Sequence, residues 1–101
     1  METRAKILDI AMNLNRVGNL AADGYLLKKN RIRMFLDETT EYLEDVKNDN
    51  FSKRFKKTFD LFISEYIKLE KEARGHIKDE LLWAEKMMTW GNILTHRSKL
   101  I

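Results

Sequence analysis

Aromatic and aliphatic residues recur at alternating spacings of three and four between Phe51 and Ala73. Because 3.6 residues complete one turn of an α-helix, positions three or four apart lie on one face. An exposed apolar row of this length would be an unusually large patch for a soluble monomer. The pattern therefore predicts a helix whose apolar stripe is covered by another part of the chain or by a second copy. The stripe comprises Phe51, Phe55, Phe59, Phe62, Tyr66, Leu69 and Ala73.

Two similar stripes precede it, one on each side of Gly24. They comprise Ile7, Ile10, Leu14, Val17 and Ala21, and then Tyr25, Ile32, Leu36, Leu43 and Val46. Glycine tolerates the left-handed conformation that often follows the C-terminus of a helix, but no strong N-cap restarts a helix after Gly24. The first half of the chain is therefore predicted to form either one bent helix or two successive helices.

The second half has an equivalent break at Gly75, and two apolar stripes run side by side after it. They comprise Ile77, Leu81, Ala84, Met88 and Gly91, and also Trp83, Met87, Trp90 and Leu94. The last helix is therefore predicted to be apolar over a wide arc. Between the two halves, residues 47–50 are all polar, which predicts a turn.

Folding the two halves back at this turn places the predicted stripes against each other. Antiparallel helices of equal rise bring together residues whose numbers have a constant sum, which a turn near Asp49 sets at about 98. The resulting register aligns apolar residues and four pairs of opposite charges. The predicted ion pairs are Glu44–Arg54, Glu41–Lys57, Arg33–Glu65 and Lys28–Glu70.

Six large apolar residues lie off this seam and need a further layer of structure. The prediction is one all-α domain over residues 1–101, an antiparallel helical bundle with a four-helix packing unit. Either breaks at Gly24 and Gly75 let one chain supply four helices, or two long helical hairpins dimerise. The six residues, which are the candidate interface with a partner, are Phe35, Ile63, Ile67, Trp83, Met87 and Trp90.

Composition agrees with a folded helical domain and excludes several classes of site. The chain is 44% hydrophobic and 35% charged, as expected for a packed core with solvated helix faces. It has no proline to interrupt helices and no cysteine for a disulfide or a thiolate metal site. No uncharged run approaches the ~18 residues of a membrane span. We therefore expect a cytoplasmic protein that does not associate with membranes.

His76 and His96 are the only histidines, and neither lies in a pattern typical of a chemical site. They lack the Glu-x-x-His pairing of metal sites in helical bundles. No serine or carboxylate at helical spacing marks either ring as a general base. The sequence therefore predicts no metal, no cofactor and no catalytic residue, and we expect the protein not to be an enzyme.

Basic residues suggest an alternative role in nucleic-acid binding. The net charge of +3 is a mild excess, but basic residues cluster in two short runs. These are Lys28, Lys29, Arg31 and Arg33, and then Lys53, Arg54, Lys56 and Lys57. Clustered cations bind nucleic acid because they release its counterions. The predicted ion pairs favour a solvated, paired face instead. The candidate contacts of the alternative are Lys28, Lys29, Arg31, Arg33, Lys53, Lys56, Asn92 and His96.

The segment from Gly91 to His96 is distantly similar to the signature of the HEPN family. These are four-helix proteins, many of them ribonucleases, in which an arginine precedes a histidine by a few residues on one helix. The resemblance implies a helical bundle that approaches RNA through Asn92 and His96. Gly91 stands where the family has its arginine, so ribonuclease activity is not carried over.

The sequence leaves two hypotheses of different kinds. The first is a non-enzymatic helical interaction or structural module that binds a second copy of itself or another protein. The second is a nucleic-acid-binding bundle, distantly HEPN-like and without ribonuclease activity. We favour the first, because the off-seam aromatic and aliphatic residues are typical of interfaces.

Overall fold

A computed structural model describes residues 2–101 as four α-helices and a short 3₁₀ turn, with no strand in that range. The helices form an antiparallel bundle in which α1 packs against α2 and α4. The predicted all-α, four-helix fold is therefore confirmed. The bounds are Thr3–Gly24 for α1, Lys29–Val46 for α2, Lys53–Arg74 for α3, Glu80–Arg97 for α4 and Ser98–Leu100 for the 3₁₀ turn.

Both predicted glycine breaks separate helices. Gly24 ends α1 with a φ of 155°, which residues with a side chain rarely adopt, and a turn over residues 25–28 leads into α2. Gly75 caps α3 and is followed by an irregular connection to α4. Asp79 then caps α4 by accepting a hydrogen bond from the Leu82 amide at 3.0 Å. One chain thus supplies all four helices, and the continuous hairpin is excluded.

The bundle has two distinct ends. We call the end with residues 24–28 and 75–79 the glycine end, and the opposite end, with residues 47–52, the start of α1 and the 3₁₀ turn, the turn end. At the turn end Thr3 Oγ1 donates a hydrogen bond to the Asp49 carboxylate at 2.7 Å, and the Ser52 hydroxyl donates to the Leu100 carbonyl. These bonds join the start of α1 and the 3₁₀ turn to the connection between α2 and α3.

Two glycines bring α1 and α4 into close contact. A Cβ atom at Gly18 would lie 2.9 Å from the Ala84 carbonyl oxygen, and one at Gly91 would lie 2.9 Å from the Ala11 carbonyl oxygen. Both distances are too short for a real carbon atom. Each helix therefore uses a glycine to admit the backbone of the other, and the two contacts fix the register of the pair.

Hydrogen bonds between side chains and backbone connect α2, α3 and α4. The buried Tyr66 hydroxyl donates to the Leu36 carbonyl at 3.0 Å. The Trp83 indole N–H donates to the Leu69 carbonyl at 2.9 Å, and its ring meets Tyr25 edge-on with centroids 5.6 Å apart. Burial of these rings with their polar groups satisfied makes them part of a single core.

The predicted register of the two halves is wrong by more than one helical turn. Under a sum of about 98, Gly18 would face Glu80; in the structure it faces Ala84 and Met88. The glycine contacts decide the alignment, because the helices can approach this closely only where one of them has no side chain.

None of the four predicted ion pairs forms within residues 2–101, because the register is shifted and nearer partners exist on the same segment. Arg33 reaches Glu70 at 3.0 Å instead of Glu65. Lys28 pairs with Asp23 at 2.8 Å, and Glu44 pairs with Lys47 at 2.6 Å. Consequently Arg54 and Lys57 are left without the acidic partners that the sequence assigned to them.

Replacement of Gly18 or Gly91 by alanine is expected to destabilise the bundle. Overpacking of a core costs about 1–3 kcal/mol, which exceeds the roughly 1 kcal/mol by which alanine is favoured over glycine in a helix. Urea unfolding monitored by circular dichroism measures the change. Gly75→Ala is the matched control, since its Cβ would lie 3.8 Å from the nearest atom, the Lys71 carbonyl oxygen. Equal stability of all three variants would contradict the close-contact argument.

Alkaline pH is expected to destabilise the fold through Tyr66. Burial raises the pKa of Tyr66 to about 12 from the usual 10.0, so the folded state holds the phenolic proton more tightly than the unfolded chain. The resulting contribution of Tyr66 to the free energy of unfolding is complete below about pH 10. It is lost as the pH rises toward 12, and the free energy of unfolding then falls by up to ~1.4 kcal/mol per pH unit.

The check is the free energy of unfolding from pH 9 to about 11.5, compared with that of Tyr66→Phe. The free energy of unfolding of this variant is expected to be about 1 kcal/mol lower at neutral pH, because one hydrogen bond is removed. It should also fall less steeply as the pH rises. Some decline remains, since burial also raises the pKa values of Tyr25 and Tyr42. Parallel curves for the two proteins would contradict the role of Tyr66.

Candidate nucleic-acid interface

A groove of about 780 Å³ lies between α3 and α4 at the turn end. One wall is the first half of α3, and the other is the second half of α4 with the 3₁₀ turn. Its size is that of a site for a ligand rather than a packing defect. The lining residues are Arg54, Lys57, Thr58, Leu61, Thr89, Trp90, Asn92, Ile93, His96, Arg97 and Leu100.

The α3 wall follows from the spacing of its residues. Arg54, Lys57 and Leu61 recur at spacings of three and four, so they share one face of the helix. This face borders the buried stripe that includes Phe55 and Phe62. Burial of that stripe in the core turns the neighbouring face toward α4, where the long basic side chains line the groove.

The α4 wall combines an aromatic ring with polar groups. Trp90 is half-buried and packs against Phe62 with ring centroids 5.7 Å apart, and its remaining surface lines the groove. Arg97 donates a hydrogen bond to the Thr58 hydroxyl at 3.4 Å, which connects the two walls. Asn92 and His96 are exposed and also line the groove. The wall therefore offers apolar, hydrogen-bonding and cationic surface together.

The groove is cationic and has no acidic residue in its lining. Arg54, Lys57 and Arg97 carry permanent positive charges, and none of them makes an ion pair within residues 2–101. Cations that are already paired gain little from a new anion, whereas these three are available. The lining therefore favours an anionic ligand.

Basic residues are concentrated at the N-terminus of α3, where the helix dipole repels positive charge. Its first turns contain four basic residues and no acidic residue. A helix N-terminus carries a partial positive charge that disfavours cations by about 0.3–1 kcal/mol each. An anion bound at the groove would offset this repulsion, and the same end of the helix attracts anions through its free amides. The four residues are Lys53, Arg54, Lys56 and Lys57.

Charge is segregated around the turn end. Residues 37–49 of α2 and the following turn contain six acidic residues and one lysine, whereas residues 50–59 and 86–101 contain none that is acidic. Because α2 and α4 do not pack against each other, the acidic residues of α2 lie apart from the α4 wall of the groove. The basic groove is therefore separated from the main acidic surface.

The structure brings together two of the eight predicted nucleic-acid contacts in the groove, Asn92 and His96. Lys53 and Lys56 are near it on α3 but do not line it, and Lys56 lies 3.5 Å from Asp60. Of the same basic run, the sequence prediction listed Lys53 and Lys56 as contacts and left out Arg54 and Lys57. Their spacing from the buried Phe55 stripe was the signal that distinguishes them from their neighbours.

The other four predicted contacts lie at or near the glycine end, remote from the groove. Lys28 and Arg33 pair with acidic residues, while Lys29 and Arg31 are exposed. The bundle is 38 Å along its longest axis, so the two basic runs do not form one surface. The predicted grouping of these residues with Lys53, Lys56, Asn92 and His96 is therefore wrong.

The predicted partner interface is largely part of the core. Trp83 is 1% exposed and Met87 is fully buried, so neither is available to a partner while the chain is folded. Phe35, Ile63 and Trp90 are partly buried and pack against the same core. The prediction is wrong for Trp83 and Met87, because α4 is covered by both α1 and α3. Only Ile67, which is 60% exposed, lies mainly at the surface.

Gly91 explains why the resemblance to the HEPN signature stops short of its arginine. The residue is buried against Ala11 and Asn15 of α1, where a larger side chain has no room. Asn92 and His96 lie on an exposed part of the same helix. The position of the missing arginine is thus occupied by the contact that holds α1 and α4 together.

Within residues 2–101 the structure has neither a cluster of metal ligands nor a membrane-spanning helix. No group of three or more potential metal-binding side chains occurs there. No helix in this range combines the length and apolar character needed to cross a membrane. Comparison with protein-family models, curated proteins and solved structures gave no match for the chain. The groove is therefore interpreted from its own chemistry.

Proposed function

We propose that the protein is a non-enzymatic binding module that holds single-stranded nucleic acid in the groove between α3 and α4. The observation that carries the proposal is the lining itself, where Arg54, Lys57 and Arg97 are unpaired and no carboxylate is present. Phosphates contribute most of the affinity of nucleic-acid complexes through such cations. The proposal takes up the second of the two hypotheses drawn from the sequence, a nucleic-acid-binding bundle, in preference to the protein-protein interaction module.

The positions of the cations suit a chain of phosphates. Arg54 and Lys57 are three residues apart on α3, which places their Cβ atoms about 5–6 Å apart on one face. Arg97 approaches from α4, near Thr58. Arginine contacts phosphate oxygens through two parallel N–H groups, whereas lysine acts as a point charge. A strand that follows the groove would therefore meet positive charge on both walls.

The apolar part of the lining favours a single strand over a duplex. Leu61, Trp90 and Ile93 lie in the recess between the helices. Bases of a duplex are stacked and paired, so they cannot enter such a recess, whereas unpaired bases stack on aromatic side chains for about 1–3 kcal/mol each. Polar groups of Asn92 and His96 at the rim can accept or donate hydrogen bonds to base edges.

The double variant Arg54→Ala with Lys57→Ala is expected to weaken binding of a fluorescein-labelled oligothymidylate, because two phosphate contacts are lost. Fluorescence anisotropy at several salt concentrations measures the binding constant of each protein for this strand. For a single strand each contact contributes about 0.7 to the slope of log K against log salt, so the slope should fall by ~1.4.

The matched control is Lys68→Ala with Lys71→Ala, which removes two exposed lysines farther along the same helix. This control should bind nearly as well as the unmodified protein, since the net charge changes equally but the groove does not. The proposal fails if the unmodified protein does not bind at low salt. It also fails if the two double variants are weakened to the same extent.

Trp90 provides a direct optical measurement of the same event. The protein has only two tryptophans, and Trp83 is buried in the core while Trp90 lines the groove. Stacking of a base on Trp90 is expected to quench part of the intrinsic fluorescence. In Trp90→Phe, which keeps an aromatic ring against Phe62, the quenching should disappear. Quenching that persists in this variant would place the strand elsewhere.

A further inference from the structure

Four leucines are exposed at the glycine end. Leu26 and Leu27, in the turn between α1 and α2, are 76% and 91% exposed. Leu81 and Leu82, in the first turn of α4, are 63% and 47% exposed. Single exposed apolar residues are common, but a group of four at one end of a small domain is typical of a contact surface.

The fold brings the two pairs of leucines to the same end. Tyr25 immediately precedes Leu26, and its ring contacts Trp83, which immediately follows Leu82. The Tyr25 hydroxyl also donates to the Ala73 carbonyl at 3.4 Å, so the turn is held against the end of α3. The leucines themselves point away from this core contact, as their exposure shows. They contribute little to the stability of the single chain.

Charges of opposite sign flank the two pairs. Lys29 and Arg31 lie at the start of α2, beside Leu26 and Leu27, and neither makes an ion pair within residues 2–101. Asp79 and Glu80 lie at the start of α4, beside Leu81 and Leu82. The α2 corner of this end is thus basic. At the α4 corner Asp79 and Glu80 outweigh the neighbouring Lys78 by one negative charge, so this corner is weakly acidic.

These corners are diagonally opposite. Helix α1 packs against both α2 and α4, and α3 contacts both of them through Tyr66 and Trp83. The order around the bundle is therefore α1, α2, α3, α4. A two-fold axis that runs across the end, along the diagonal from α1 to α3, places the α2 corner of one copy over the α4 corner of another.

We infer that the glycine end is the surface on which a second copy of this chain docks. The two-fold arrangement brings Leu27 of one copy toward Leu81 and Leu82 of the other, and brings Lys29 toward Glu80. Each contact occurs twice, as in any two-fold interface. The arrangement gives an apolar centre and a charged rim of matching signs, which is the usual anatomy of a protein interface.

The charge pattern favours a second copy over an anionic membrane surface. Basic residues beside exposed leucines would suit anionic lipids, but Asp79 and Glu80 lie at the same end and would be repelled. In a complex with a second copy, the basic α2 corner and the acidic α4 corner both meet charges of opposite sign. The groove at the turn end stays free in this dimer, so each dimer presents two grooves, one near each of its far ends.

Sedimentation equilibrium of the 101-residue chain tests the inference. The unmodified chain should approach twice its mass of 12.0 kDa as concentration rises. Leu27→Asp should raise the dimer dissociation constant by more than about tenfold, because it puts a charge in the apolar centre. Unchanged circular dichroism is expected, since Leu27 is 91% exposed. The control Ile67→Asp, also at an exposed apolar position but on the side of α3, should dimerise normally.

Charge exchange distinguishes this geometry from other dimers. Lys29→Glu should weaken the dimer, and Glu80→Lys added to the same chain should restore it, because the two residues face each other across the axis. A chain that stays monomeric at its highest soluble concentration would overturn the inference. A dimer indifferent to Leu27→Asp, or the failure of Glu80→Lys to restore association, would do the same. So would Leu27-dependent binding of a monomer to vesicles that contain phosphatidylserine.

Discussion

Close contact between α1 and α4 is the constraint on which the rest of the structure depends. Gly18 and Gly91 each admit the backbone of the facing helix, so the two helices can meet only in one alignment. This alignment places α4 deep enough for Trp83 to bond to Leu69 of α3. It also buries Met87 and Leu94. The glycine contacts therefore determine which face of α4 belongs to the core and which face remains for the groove.

The groove between α3 and α4 follows from this alignment of α1 and α4. With one side of α4 held against α1, its opposite side meets the first half of α3, and Trp90 packs against Phe62 at the boundary of the core. The basic residues of α3 that flank the buried stripe then line the remaining space. Because α2 supplies most of the acidic residues at the turn end, the cations of α3 and α4 are not neutralised there.

The sequence was sufficient for the class of fold, since alternating apolar spacing predicts an all-α bundle, but it left open whether Gly24 and Gly75 interrupt the helices. It was insufficient for the register, because the stripes can be aligned at several offsets and the close contacts at Gly18 and Gly91 decide among them. Trp83 and Met87 were assigned to an interface because the pairwise alignment took no account of a helix covered on two sides. Within the second basic run, the sequence could not distinguish Arg54 and Lys57, which line the groove, from Lys53 and Lys56, which do not.

Separation of charge around the turn end gives the molecule a polarity across its short axis. A polyanion is attracted by the α3 and α4 side and repelled by the acidic half of α2. Fields of this kind act over roughly a Debye length, about 8 Å at physiological salt, and rotate a small protein before contact. The distribution of charge, more than its modest net value, thus decides which side of the protein meets an incoming strand first.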